Sequence, residues 1–316
     1  MAVAAVALSS AAGVFAYFMP AIVEAFDAIN QAVVVPSPSA SPTNLVGSSP
    51  SSKPTPRTPG SFTVLLLGSD NDTKFLAAHV LTQSMILVRV NPTTRKVTML
   101  SIPRDLYVPL STGRTDKIDG AYYDGGPGAA IATVQNNFGV HIDYYIWIGL
   151  IGLIHVIDAI GGINVVTGAP VMDDFYPADI GKGNPFAYQR VAVLAGPQHL
   201  DGINALQYVR SRHNDVQSDF GRSQRQQQVL LALRAKAAAI SAEDVPALAA
   251  AMKGQIKTTM SLSQIASLLP TAGSLDLKNI QQIVLLPPYT HGCGCPSGYV
   301  VPVWSLILPL VRQYFP

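Results

Sequence analysis

Cysteine is nearly absent, with only Cys293 and Cys295 among 316 residues. Two cysteines exclude a disulfide-stapled fold, and the single residue between them leaves a disulfide and two free thiols as open alternatives. A zinc site needs two more ligands; His291 stands nearby and nothing else completes the set. Charge is also scarce, at 13% of residues and a net +2. That balance excludes the broad basic surface of a nucleic-acid binder, and no helix-turn-helix pattern or internal repeat is visible. Charge is missing altogether from Met1 to Val23, the first charged residues being Glu24 and Asp27. No basic start precedes this apolar stretch, as a cleaved signal peptide would require. It is long enough to span a bilayer, so residues 1–23 are expected to form a transmembrane anchor, kinked near its end by Pro20. From Val35 to Gly60 apolar side chains are few and Pro, Ser and Thr dominate. Residues 24–60 are therefore expected to be an extended linker outside the cytoplasm.

Beyond the linker, the 48% hydrophobic content is enough to fill a sizeable core. Phe62–Leu67 is an apolar run of strand length, and its continuity suits a strand covered on both faces, with Asp70 beyond its carboxyl end. Met85–Val90 and Val97–Ile102, separated by a turn-like Asn91-Pro92 segment, predict a hairpin that delivers Arg104 and Asp105 to the sheet edge. A helix is predicted from Pro127 to Phe138, stopped by Gly139. Tyr144–Ile148 reads as a strand, Gly149–Ile160 as an almost wholly apolar helix stopped by Gly161-Gly162, and Ile163–Val166 as a strand. This alternation predicts an α/β fold with a covered central sheet. Gly196-Pro197 reads as a turn, followed by a short helix capped by Asp201. Beyond Ile240 the chain is Ala-rich and helical, then gives a strand at Ile283–Leu286 and an aromatic close.

The densest chemistry lies between Leu206 and Val229. Arg210 and Arg212 would face one site if that stretch is extended. Asp219 is a plausible N-cap for a helix over Arg222–Lys236, which puts Arg222, Arg225, Gln226 and Val229 along one face and both arginines in its first turn. Cations there oppose the helix dipole unless an anion is bound, and the guanidinium fork suits phosphate or carboxylate. A solvated basic face paired with Asp215 and Asp219 is the alternative.

The blocks LLLGSD, VTMLSIPRDLYV, KIDGAY, IDAIGGINV, LDGINALQYVRSR and DFGRSQRQQ occur in this order and spacing. In them the chain resembles the LytR-CpsA-Psr family over roughly 62–236. The resemblance implies a mixed central β-sheet sandwiched between α-helices, a catalytic domain over 61–240 and a single membrane span with the domain outside; the residues 241–316 beyond it read as a C-terminal extension packed on the same domain. It implies transfer of a glycopolymer from a polyprenyl-pyrophosphate carrier to a peptidoglycan hydroxyl. The positions matching the family's pyrophosphate site are Arg104, Lys117, Arg210, Arg212, Arg222 and Gln226, with Asp219 and Arg225 in support. Arg104, Arg210, Arg212 and Asp70 are the catalytic candidates, and Asp70 matches the first of two aspartates associated with Mg2+. The sequence departs from the family at Leu81 and Gln83, where an arginine and the second aspartate usually stand. A neutral amide holds a hard cation less well than a carboxylate, so the metal site is expected to be weakened. Two alternatives follow, a catalytically weak binder and a pyrophosphatase of the same lipids. A transcriptional regulator is disfavoured by the outward tether and the charge balance.

Overall fold

The computed structural model describes residues 60–69, 79–178, 180, 184, 186–212, 218–237, 254–260, 280–295 and 297–316. The expected anchor, the linker, Asp70, Asp215 and the Ala-rich stretch lie outside the described residues. No helix among the described residues is long and apolar enough to cross a membrane.

In chain order, the first strands are β1 (Phe62–Ser69), β2 (Thr82–Asn91), β3 (Lys96–Ile102), β4 (Tyr107–Pro109) and β5 (Thr115–Lys117). Then come α1 (Gly120–Phe138), β6 (Tyr144–Ile148), α2 (Leu150–Ala159), β7 (Ile163–Thr167), β8 (Val171–Pro177), β9 (Tyr188–Val193) and β10 (Gly196–Leu200). α3 (Gly202–Arg210), α4 (Ser218–Ala237), β11 (Ile256–Thr258), β12 (Ile280–Val284), β13 (Thr290–Gly292), β14 (Val300–Pro302) and α5 (Trp304–Tyr314) complete the chain. The chain divides into two units, one centred on 148–273 and the other combining 32–147 with 274–316.

In the second of these units the strands run in the order β6-β1-β2-β3-β12. β1, β2 and β3 are antiparallel, whereas β12 lies parallel to β3, so the sheet is mixed. Consecutive residues such as Met85, Ile86 and Leu87 are all buried, which means that both faces of the sheet are covered. Ala130, Ile131, Val134 and Phe138 from α1 join Ile307, Val311 and Phe315 around α5 in one core with Leu65, Leu87 and Leu100. The predicted helix after Pro127 begins earlier, at Gly120. Its backbone breaks at Gly125 and at Gly126 (φ 64°), so Pro127 does open a straight segment, and Gly139 ends it at φ 66°. β4 and β5 form a small ribbon, and β13 and β14 another.

The other unit pairs β7 with β10 and β8 with β9, each antiparallel. Gly196-Pro197 is therefore not a turn. Pro197 lies opposite Val166 in a two-stranded ribbon, where one strand edge has no partner and a missing N–H is tolerated. Asp201 caps α3 as expected, accepting from Asn204 N at 2.8 Å. Ile157, Ile163, Val171, Leu200, Tyr208 and Val229 belong to its core. α2 is apolar almost throughout, yet only Leu150, Gly152 and Ile157 are buried, and Ile151, Leu153, Ile154 and Val156 stay half-buried.

Candidate functional site

Arg104 follows β3, where Pro103 closes the strand and a turn returns the chain into β4, with Leu106 N donating to Pro103 O. Its guanidinium is largely buried. Nη1 donates to Gln83 Oε1 at 2.5 Å, and Nε lies 3.5 Å from Asp105 Oδ2, an ion contact without hydrogen-bond geometry. Asp105 also accepts from Lys117 Nζ at 2.7 Å. The β4–β5 ribbon returns Lys117 to this place, since Lys117 pairs with Tyr107 in register. Arg104, Lys117 and Gln83 are thus brought together by the sheet edge.

Within electrostatic reach of the two cations is a carboxyl that the sequence reading did not single out. Asp119 precedes α1 in the position of a helix cap, but its side chain makes no capping hydrogen bond. It is 3% exposed. Burial pushes it up from 3.8 to about 6, with Arg104 and Lys117 drawing it down and Asp105 and Asp116 pushing it further up. A carboxyl poised near neutrality beside two cations is suited to accepting a proton. The residue was easy to overlook because aspartate ahead of a helix ordinarily reads as a cap.

The second basic group belongs to the other unit, and here three local expectations are corrected. Arg210 is not extended; it is the last residue of α3, with Ser211 leaving the helix at ψ 138°. Asp219 is not the N-cap, because α4 begins at Ser218 and takes Asp219 into its first turn. Arg222 and Arg225 therefore fall in the second turn, away from the free amides of the helix end. Both are buried, at 7% and 5% exposure. Arg225 donates from Nε to Tyr208 O at 2.6 Å and from Nη2 to Ser211 O at 2.7 Å. It thereby satisfies carbonyls at the end of α3, where a cation also complements the helix dipole. Arg225 supports the segment that carries Arg210 and Arg212. Arg212 N donates to Asp173 Oδ2 at 2.9 Å, and the Arg210 guanidinium lies 5.7 Å from the centroid of the Tyr176 ring. Gln226 is half-buried on the same helix face as Arg222.

The donor set for a divalent cation is poor among the described residues, where no group of three carboxylate, histidine or cysteine side chains gathers. Gln83 gives its carbonyl oxygen to Arg104, whose positive charge repels a metal at that place. Leu81, 37% exposed, offers no ligand. The hydroxyls of Ser69 and Thr82, register partners at the ends of β1 and β2, are buried without a hydrogen-bond partner and supply only neutral oxygen. The described residues do not fit Mg2+, and Asp70 lies outside them.

Cys293 and Cys295 are joined in a disulfide, which decides between the two alternatives the spacing left open.

Fold and side chains together define a class: an α/β protein with a mixed sheet that gathers arginine and lysine at its edge near a buried carboxyl. The chain belongs to the LytR_cpsA_psr family, whose model matches residues 35–289. It is similar to biofilm regulatory protein A of Streptococcus mutans, 36% identical over 178 residues, which is 54% of this chain and 42% of that protein. It is similar also to polyisoprenyl-teichoic acid–peptidoglycan teichoic acid transferase TagU of Enterococcus faecalis, 31% identical over 206 residues, 65% of this chain and 63% of that protein. The chain thus spans less than two thirds of the length of these curated relatives. Among solved structures, B. subtilis TagV superposes with a TM-score of 0.65 at 27% identity, covering 82% of this chain and 97% of TagV. TagT bound to LI-WTA gives 0.63 at 27% identity, covering 86% and 97%.

Proposed function

We propose that this chain is a cell-envelope phosphotransferase that moves a glycopolymer from a polyprenyl-pyrophosphate carrier onto a peptidoglycan hydroxyl, held at the membrane by residues 1–23. The observation that carries the reading is the cluster of Arg104, Lys117 and Asp119: two cations able to grip a diphosphate, with a buried carboxyl that feels both and is pushed up to about 6. Family membership and the likeness to TagU and to TagT bound to LI-WTA supply the substrate class.

In this mechanism the acceptor hydroxyl attacks the phosphorus that bears the glycopolymer. Asp119 takes the hydroxyl proton, a P–O bond to the acceptor forms, and the bond to the bridging oxygen breaks, releasing polyprenyl phosphate. Arg104 and Lys117 stabilise the charge that grows on the leaving phosphate; Arg210, Arg212, Arg222 and Gln226, in the other unit, match the family's pyrophosphate positions. Magnesium, if held at Asp70, would supply Lewis-acid stabilisation of the phosphate oxygens. The half-buried apolar side chains of α2 are suited to a prenyl chain.

The commitment of Gln83 to Arg104, in place of a metal-binding carboxylate, favours one competing reading, a protein that binds the lipid pyrophosphate without transferring it. The two are separated with purified full chain, a lipid-linked glycopolymer and peptidoglycan. Transfer yields a phosphodiester product, and Arg104→Ala lowers its rate by about a hundredfold or more. Tight binding without product identifies the binder, and release of soluble glycopolymer phosphate without acceptor identifies hydrolysis.

A further inference from the structure

β4 alternates so that Val108 is wholly buried while Tyr107 and Pro109 face outward. Tyr107 is directly opposite Lys117 in the β4–β5 register, so the two side chains leave the ribbon on the same side. The C-terminal segment then brings a second ring to this spot. Val300 N donates to Asp105 O at 2.9 Å and Val300 bridges Leu106, which seats Tyr299 on Tyr107 with ring centroids 4.4 Å apart and planes 24° apart. Lys117 Nζ, already 2.7 Å from Asp105 Oδ1, lies 5.7 Å from the Tyr299 ring centroid. The loop that presents Tyr299 is held at its base by the β13–β14 pairing and by Cys293 N donating to Tyr299 O at 3.0 Å.

Core packing does not explain the pair. Tyr107 keeps 36% of its surface exposed, and among the described residues neither phenol oxygen has a hydrogen-bond partner. Two rigid rings beside a Lys–Asp pair match the chemistry of a pyranose. One face of such a sugar carries polarised C–H bonds, which the electron-rich face of an aromatic ring attracts, and its rim carries hydroxyls that phenol, ammonium and carboxylate can bond. A platform already fixed by two hairpins loses little entropy on binding.

We propose that Tyr107 and Tyr299 form a stacking platform for a pyranose ring of the substrates that meet at Arg104 and Lys117. The inference rests on the function proposed above and adds a sugar subsite to it. Its test uses the full chain in detergent and calorimetric titration with farnesyl pyrophosphate, farnesyl-pyrophosphoryl-N-acetylglucosamine and an N-acetylglucosaminyl-N-acetylmuramic acid disaccharide. The sugar-bearing lipid is expected to bind about tenfold more tightly than the bare one, and Tyr107→Ala and Tyr299→Ala to remove that difference while leaving the bare lipid within about twofold. Tyr299→Phe, which keeps the stack, retains most of it. A disaccharide that binds the native chain and fails on both alanine variants, with the lipid preference intact, also supports the platform and assigns it to the acceptor. Sugar recognition unchanged in both arms, or bare-lipid affinity lost along with it, overturns the platform and leaves the function proposed above standing. If the native chain binds neither lipid, that function falls, and the platform with it.

Discussion

Asp119 binds a proton more strongly in the folded chain than out of it, because burial holds it near 6 against 3.8 in water. The sign of the consequence follows from linkage. Between those values the folded state carries the extra proton, so stability is highest below 3.8 and falls as pH rises through 6. At neutral pH the charged, buried carboxylate costs on the order of 3 kcal/mol. Asp119→Asn is therefore expected to raise the urea midpoint at pH 7.5, to leave it unchanged at pH 3.5, and to abolish transfer together with its acidic limb near pH 6. Unchanged stability at pH 7.5 would refute the raised value. The residue types of the site were legible, since Arg104 and Lys117 are matched by local blocks of sequence. Which carboxyl faces them was not, because burial of Asp119 depends on β4, β5 and α1 meeting around it.

Among the elements, α3 shows what a local reading misses. The alternation Arg210-Ser211-Arg212 reads as extended, yet the helix runs on to Arg210 because Arg225, fifteen residues away, satisfies the carbonyls of Tyr208 and Ser211. The start of α3 is fixed by close approach. A Cβ on Gly202 would lie 2.3 Å from Ile154 O and 2.7 Å from Ile154 Cα, and Gly202 N donates to Asp158 Oδ1 at 2.7 Å. Backbone cannot yield as a side-chain tip can, so Gly202→Ala is expected to destabilise by roughly 2–3 kcal/mol, measured as a lower urea midpoint. The helix stops at Gly139 and at Gly161-Gly162 were legible for the opposite reason. They need only a left-handed backbone, and these glycines sit at φ 66°, 70° and 78°. The β8–β9 hairpin gave no signal, since Met172, Phe175 and Tyr188 stay exposed and blur the period-two pattern.

At the scale of the whole molecule, the unit that holds Arg104 is assembled from distant parts of the chain. β12 adds to β3 in parallel, and Ile307, Val311 and Phe315 are buried in the core built by β1 to β3 and α1. A chain ending before residue 280 is thus expected to lose its near-UV circular dichroism and cooperative urea unfolding; a truncated chain that keeps both would show that the remaining core suffices. Sequence alone determined the periodicities, hence the strands β1 to β3, β6 and β7, and the ordered blocks that place the chain in its family, because each rests on residues close together in the chain. Tertiary structure decided which distant segments share a sheet, which carboxyl is driven from water, and that Gln83 holds Arg104. Those outcomes depend on desolvation and on contacts between residues tens to hundreds of positions apart, and no local pattern of side chains encodes them.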